Sequence, residues 1–333
     1  SLMRFASIPG ALADFRAGRI LVVVDDEDRE NEGDLTVAAE LITPETVNFM
    51  ATHGRGLICL ALSPEKCDSL GLPLMSSTNT SRFGTAFCES IEAREGVTTG
   101  ISAQDRAYTM RLAMNPATKP MDLARPGHVF PLRAREGGVL VRAGQTEAAV
   151  DLARLAGLSP GGVICEIMNP DGTMARVPEL ERFCAQHGIK MISVAELIRY
   201  RLRTERFVRR EAEGQLKTAL GDFRAVYYSS SINQERHLAL IGGDLSDART
   251  EGRETLVRMH AHCGLGDIFG SVECQCQSTL RAAMKRIGRD GGVIVYLHLT
   301  GSTLRLTRED GHREIVPHGR QPQAGGGPLQ HEV

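Results

Sequence analysis

The densest chemistry in the chain lies between Val24 and Leu35, VDDEDRENEGDL. Asp25, Asp26, Glu27, Asp28, Glu30, Glu32 and Asp34 are interleaved there with Arg29, Asn31 and Gly33. Carboxylates this close repel one another. A cation, a nearby guanidinium or bound protons must relieve them. A hard ion such as Mg²⁺ suits the set, because it takes oxygen ligands and keeps several waters. A generic acidic run is more often a solvated face. The alternation Arg-Glu-Asn-Glu-Gly-Asp argues against that reading. Gly33 permits a sharp turn, and Arg29 supplies a fixed fork for an anion.

Other groups with chemistry lie far along the chain. Arg125-Pro126-Gly127-His128-Val129-Phe130-Pro131 reads as a loop that holds His128 in stiff backbone, a candidate acid or base. Ala143-Gly144-Gln145 turns the chain into Thr146. Arg142, the loop amides and the Thr146 hydroxyl together form a candidate phosphate cradle. Glu166 falls near the end of an apolar strand, Gly161 to Ile167, where a charge is costly unless paired or functional. Thr98 and Thr99 sit in a glycine-bounded loop, Gly96 to Ser102, that fits a phosphate or a plain helix cap equally well. Cys59 reads as a buried core thiol. Cys263, Cys274 and Cys276 form a C-x10-C-x-C set, compatible with a zinc site that keeps one position open.

These groups need a scaffold. Ser7 to Gly18 reads as an amphipathic helix and Ile20 to Val24 as a buried strand ending in the acidic loop. Thr43-Pro44-Glu45 and Ser63-Pro64-Glu65 open two helices, the first running to Gly54. Gly56 to Leu62, Ala86 to Ala93 and Val139 to Arg142 read as strands. Ser102 caps a helix through Met114, Thr146 caps another, and Arg176 to His187 and Ser193 to Arg203 are helical. A charged linker, Thr204 to Gly214, leads to strand-like segments at Phe223 to Ser229, His237 to Ile241 and Gly292 to Tyr296.

At 333 residues the chain suggests about two domains. A net charge of −2, no tryptophan and no basic patch argue against nucleic acid or an anionic membrane as partner. No apolar run approaches the roughly 18 residues of a membrane span, and no signal peptide is visible. Ser1-Leu2 before Met3 reads as an expression scar. Eight irregularly spaced cysteines do not form a disulfide framework, which fits a cytoplasmic location.

The blocks DDEDRENEGD, HGRGLICLAL, EGVTTGISAQDR, RPGHVFPLRA, GGVLVRAGQTEAAVDLARLAG and DGTMAR, in this order, resemble the 3,4-dihydroxy-2-butanone 4-phosphate synthase family across residues 4 to 204. The resemblance implies an α+β fold, a layered α/β sandwich with a mixed sheet, working as a homodimer with its site shared across the interface. It implies Mg²⁺- or Mn²⁺-dependent conversion of ribulose 5-phosphate to 3,4-dihydroxy-2-butanone 4-phosphate and formate in riboflavin biosynthesis. Arg29 and Glu30 then contact the sugar phosphate, and Glu30 is also a metal ligand. Asp34 and Glu166 are substrate-contacting acids, Glu32 is available for proton transfer, and His128 is required for activity. Thr99 and the loop Arg142, Ala143, Gly144, Gln145 and Thr146 contact the substrate. One position departs, since the family has a metal-ligating histidine where this chain has Gln145. An amide oxygen can ligate Mg²⁺ but is neutral and takes up no proton. Weaker metal binding, slower turnover or loss of activity is expected.

The second half resembles GTP cyclohydrolase II, and Cys263, Cys274 and Cys276 match its zinc ligands. The family's Arg-x-His-Ser-Glu is here Arg258-Met259-His260-Ala261-His262, without the Glu. Its Arg-Gln-Glu-Gly-Arg phosphate loop is replaced by His298-Leu299-Thr300-Gly301-Ser302. The expected organisation is a synthase domain over 1–204, a smaller, truncated and degenerate cyclohydrolase-like α/β domain over 205–318 that does not hydrolyse GTP, and a disordered tail over 319–333. The competing expectation is a catalytically impaired regulatory or scaffolding paralogue of the riboflavin pathway.

Overall fold

The computed structural model describes residues 5–232, 235–245, 254–298, 305–309 and 312–316. The expectations for residues 1–3, for 299–302 and for the tail 319–333 lie outside the described residues. Contacts divide the chain after Glu205 into two compact units.

The first unit is built on a seven-stranded mixed sheet. Its strands are β1 (Leu21–Val24), β2 (Gly33–Ala38), β3 (Cys59–Leu62), β4 (Ile91–Ala93), β5 (Leu123–Arg133), β6 (Gly161–Glu166) and β7 (Lys190–Ser193). They lie in the order β4-β5-β3-β6-β2-β1-β7, with β1–β7 and β3–β5 parallel and the other neighbours antiparallel. The helices are α1 (Ile8–Arg16), α2 (Pro44–Phe49), α3 (Pro64–Ser69), α4 (Ala103–Met114), α5 (Gln145–Leu155), α6 (Val177–His187) and α7 (Val194–Thr204). Leu21 and Val23 pack with Phe15, Leu152 and Leu197 of α1, α5 and α7. Val22 and Val24 pack with Val47, Met110 and Leu180 of α2, α4 and α6. A sheet covered on both faces needs strands that are apolar throughout, which is why Leu21–Val24 reads as a continuous run. Each large side chain so buried contributes about 1.5–3 kcal/mol. The result is the expected layered α/β sandwich.

Helix starts follow the sequence closely. Ser7, Thr43, Ser63, Ser102 and Ser193 each accept a hydrogen bond from the amide three residues on. Four segments of the first unit differ from expectation. Val139 to Arg142 is not a strand. Gly137 and Gly138 take φ of 90° and 65°, incompatible with extended chain, and Val139 donates its amide to Asp151 Oδ2 at 2.9 Å. Thr146 is not a cap, because Gly144 is, and Thr146 lies in the first turn of α5. The segment around His128 belongs to β5 rather than to a loop. The ladder jumps from Ile91↔Val129 to Glu92↔Ala124, so Arg125 to His128 bulge out of it, where Pro126 costs no ladder bond. The Ala86–Ala93 strand shortens to Ile91–Ala93.

The second unit carries β8 (Val208–Thr218), β9 (Gly221–Ser230), β10 (Arg236–Gly242), β11 (Val257–Ala261), α8 (Cys276–Asp290) and β12 (Gly292–His298). Its sheet order is β11-β12-β10-β9-β8, and α8 packs through Ile287 against Phe223, Leu240 and Ile294. The charged stretch expected as a linker is largely β8. It is an edge strand with mostly exposed residues, where charge discourages further pairing. Arg305–Glu309 and His312–Val316 form a separate hairpin. No helix among the described residues is long and apolar enough to cross a membrane.

Candidate active site

The acidic loop between β1 and β2 sorts its carboxylates by role. Asp25 turns inward. Its Oδ2 accepts from Arg29 Nη1 at 2.7 Å and from the Glu30 amide at 3.2 Å, while Oδ1 accepts from the Glu32 amide at 2.9 Å. Asn31 takes φ 55°, and Arg176, the N-cap of α6, donates to the carbonyls of Glu30 and Asn31. Asp26, Glu27 and Asp28 remain exposed. That leaves Glu30, Glu32 and Asp34 to line a cavity of about 270 Å³ together with Arg29, Arg142, Gln145, Thr146 and Glu166. The wall is completed by Cys59, Phe83, Thr85, Phe87, Leu132 and Ile164. Cys59 is therefore both a core thiol and a wall residue. Burial pushes its thiol well up, so it stays protonated.

Glu166 closes β6, and its Oε2 accepts from the Leu57 amide at 2.8 Å. A Cβ on Gly56 would fall 2.4 Å from that oxygen, so the carboxylate needs glycine there. Asp34 is the register partner of Glu166. Burial raises the Asp34 carboxyl well above the usual carboxylate range, with Glu166, Glu30 and Glu32 adding to it. Burial and then Glu30 also raise Glu32, against the opposing charge of Arg176.

The α5 end of the cavity is built for an anion. Gly144 caps α5 without a side chain, so no cap side chain occupies the first-turn amides. Arg142 is locked by Glu147 Oε2 at 2.6 Å and donates to the Phe83 carbonyl at 3.1 Å. Glu147, Phe83 and Thr85 were not visible as site residues in the sequence, where no spacing links them to Arg142.

Gln145 is buried, and its Nε2 donates to the Val23 carbonyl at 2.9 Å and the Glu32 carbonyl at 3.4 Å. Two acceptors fix that nitrogen, so Oε1 must point the other way, and it has no hydrogen-bond partner. A buried, unpartnered amide oxygen beside four carboxylates fits a hard cation.

Thr99, Ala143, Gly144 and His128 do not line this cavity. His128 is exposed on β5, with Nδ1 2.5 Å from Glu92 Oε1. The Thr99 loop is held by Asp105, which accepts from the Thr98 hydroxyl at 2.7 Å and the Gly100 amide at 3.0 Å. Those bonds, the Thr98 hydroxyl first, hold the Asp105 carboxyl below its usual range. That carboxylate already takes the loop amides, which favours the plain-cap reading.

In the second unit the thiols of Cys263, Cys274 and Cys276 lie within 4.8 Å of one another, the only such group of three His, Cys, Asp or Glu among the described residues. Gly266 donates its amide to Cys263 Sγ at 3.3 Å, and a Cβ there would fall 2.5 Å from Cys274 Sγ. Burial, then Cys274 and Cys263, push the Cys276 thiol up to about 12, a cost that a soft cation removes. Behind the thiols, Asp267 accepts from the Cys263 amide and the Tyr296 hydroxyl at 2.9 and 2.8 Å and pairs with His260 at 3.0 Å.

Residues 9–200 match the family model of 3,4-dihydroxy-2-butanone 4-phosphate synthase, more than half of the chain. The chain belongs to this synthase family. It carries a synthase domain of riboflavin biosynthesis, and residues 209–312 match the family model of GTP cyclohydrolase II. Riboflavin biosynthesis protein RibBA of Salinispora arenicola is 54% identical over 294 residues, covering 88% of this chain and 69% of that protein. RibBA of Aquifex aeolicus is 52% identical over 297 residues, covering 88% and 72%. Among solved structures, RibBX, a two-domain synthase from A. baumannii, superposes with a TM-score of 0.72 at 42% identity, covering 89% of this chain and 83% of that one. A synthase in complex with two magnesium ions gives a TM-score of 0.58 at 42% identity, covering 60% and 98%.

Proposed function

We propose that the first unit converts ribulose 5-phosphate to 3,4-dihydroxy-2-butanone 4-phosphate and formate, using Mg²⁺ or Mn²⁺. The observation that carries the reading is the unpartnered side-chain oxygen of Gln145, a buried residue that lines the same cavity as Glu30, Glu32, Asp34 and Glu166. Glu30 and Gln145 hold the cation, whose role when bound is to polarise carbonyl and hydroxyl oxygens of the sugar.

Arg142 and Thr146 hold the phosphate through the guanidinium and the first-turn amides of α5, with Gly144 as the cap that leaves this helix start free of a side chain. Arg29 is paired with Asp25 and Glu30 and presents the rest of its fork to the substrate. Asp34 and Glu32, with raised proton affinity, exchange protons with sugar hydroxyls, and Glu166 acts from the opposite strand. His128 lies outside the cavity of its own subunit, and the reading is a homodimer in which each copy lends this residue to the other. Turnover of ribulose 5-phosphate with Mg²⁺ tests the reading. Glu30→Ala and His128→Ala are each expected to be inactive alone and to regain part of the activity when mixed. An inactive parent overturns the proposal and favours the regulatory paralogue.

In the second unit Cys263, Cys274 and Cys276 hold zinc, and GTP is not hydrolysed. His262 stands where related enzymes carry a glutamate. Burial first, and then His298, lower the proton affinity of its ring, and Nδ1 is engaged with the Tyr296 hydroxyl at 2.7 Å. A neutral imidazole does not replace a carboxylate. Pyrophosphate release from GTP by the zinc-loaded protein would overturn this part. The location is read as cytoplasmic, with no nucleic acid or membrane partner, from charge and cysteine usage.

A further inference from the structure

His128 has a partner that the sequence does not announce. Glu92 Oε1 lies 2.5 Å from His128 Nδ1, and the Glu92 side chain is 18% exposed against 46% for the ring. The contact is built by the bulge in the β4–β5 ladder, which brings a residue of the excursion back over the shorter strand. Two glycines make room for it. Gly100, at φ 89°, lies flat on the carboxylate, and a Cβ there would fall 1.4 Å from Glu92 Oε1. Gly127 packs on the Ile91 carbonyl, where a Cβ would fall at 2.1 Å, and donates its amide to Ser90 Oγ at 3.1 Å. The Gly100 amide is itself tied to Asp105. The carboxylate is therefore clamped on one side and meets the ring on the other.

We propose that Glu92 is the positioning residue of His128. It fixes the proton on Nδ1, turns Nε2 outward for proton exchange with the substrate, and supports the ring's positive charge when Nε2 takes a proton. The inference rests on the reading of His128 as an acid or base of the synthase reaction.

The test compares kcat and KM of Glu92→Gln, Glu92→Ala and His128→Ala with ribulose 5-phosphate and Mg²⁺, beside ¹⁵N NMR of the His128 ring. The glutamine keeps an acceptor for Nδ1–H and loses the charge, so kcat falls roughly 10-fold. The alanine loses both, so kcat falls roughly 10²-fold. KM stays within about two-fold in each, because a positioning residue touches no substrate. The neutral ring moves its proton from Nδ1 to Nε2 in Glu92→Ala only. An inactive His128→Ala beside wild-type kcat in both Glu92 variants overturns the role of Glu92 alone. Wild-type kcat in His128→Ala overturns the role of His128, and that of Glu92 with it. If Glu92→Ala does not fold, the near-isosteric Glu92→Gln decides the matter.

Discussion

Asp34 and Glu166 are direct partners across the antiparallel β2–β6 ladder, and both open onto the same cavity. Opposed residues in such a ladder share a face of the sheet, and like charges so placed destabilise it. The apo fold therefore carries a cost at this point, which function explains and packing does not.

Asp34→Asn removes that cost. The folded carboxyl binds its proton more tightly than the unfolded one, so the native state is favoured while Asp34 is protonated. The penalty grows as pH rises through about 4 and persists above the folded value. The variant is expected to melt higher at pH 7, by about 1–2 kcal/mol, and to lose its turnover. The gain vanishes below about pH 4, where both forms are neutral. Thermal unfolding at the two pH values checks this, and an unchanged or lower midpoint at pH 7 contradicts it.

A cation held by Glu30 and Gln145 shares its cavity with Asp34 and Glu32, whose proton affinity burial raises, and its charge opposes that protonation. The affinity for Mg²⁺ is expected to rise with pH, and binding in unbuffered solution to release protons. Calorimetry in buffers of different ionisation enthalpy measures the release. Affinity that does not change between pH 6 and 8 would count against a cation at these acids.

Gln145→Leu removes a donor from the Val23 carbonyl and one of two donors from the Glu32 carbonyl, which keeps the Asp25 amide, and it removes a ligand. It is expected to cost about 1–3 kcal/mol of stability and about 10–100-fold in Mg²⁺ affinity. Gln145→His keeps one ring nitrogen as donor and one as ligand, so metal binding persists. Calorimetric titration with Mg²⁺ and thermal melts separate the two effects. Unaltered Mg²⁺ affinity in the leucine variant would remove Gln145 from the metal site.

The purified protein is expected to hold about one zinc per chain, since three thiolates leave one ligand position open. Cys276→Ser should lose the ion and lower the melting of the second unit. Metal analysis and a chelator-treated melt provide the check, and a zinc-free preparation with unchanged melting refutes the site.

Much of the scaffold was legible in the chain because its signals are local. Ser7, Thr43, Ser63 and Ser193 mark helix starts by hydrogen bonds reaching only three residues. The acidic loop was equally visible, but its division of labour was not. Nothing in the order of letters tells Asp25, turned inward on Arg29, from the exposed Asp26. The Val139–Arg142 run misled because a short apolar stretch fits a strand or a buried turn alike, and here Asp151 and two left-handed glycines decide for the turn. Glu92 with His128 and Glu147 with Arg142 were missed because each pair is made by tertiary packing, without a spacing signature.

The knot that Asp25 ties around its own loop bears on which ions can enter. Three bonds from Asp25 and two from Arg176 turn the acidic segment into a rigid collar before any ligand arrives. Little further ordering is needed on capture, but the ring cannot swell to suit a larger guest. Calcium, with longer bonds and a demand for more oxygens than magnesium, is expected to be held poorly and to serve as an inhibitor at best.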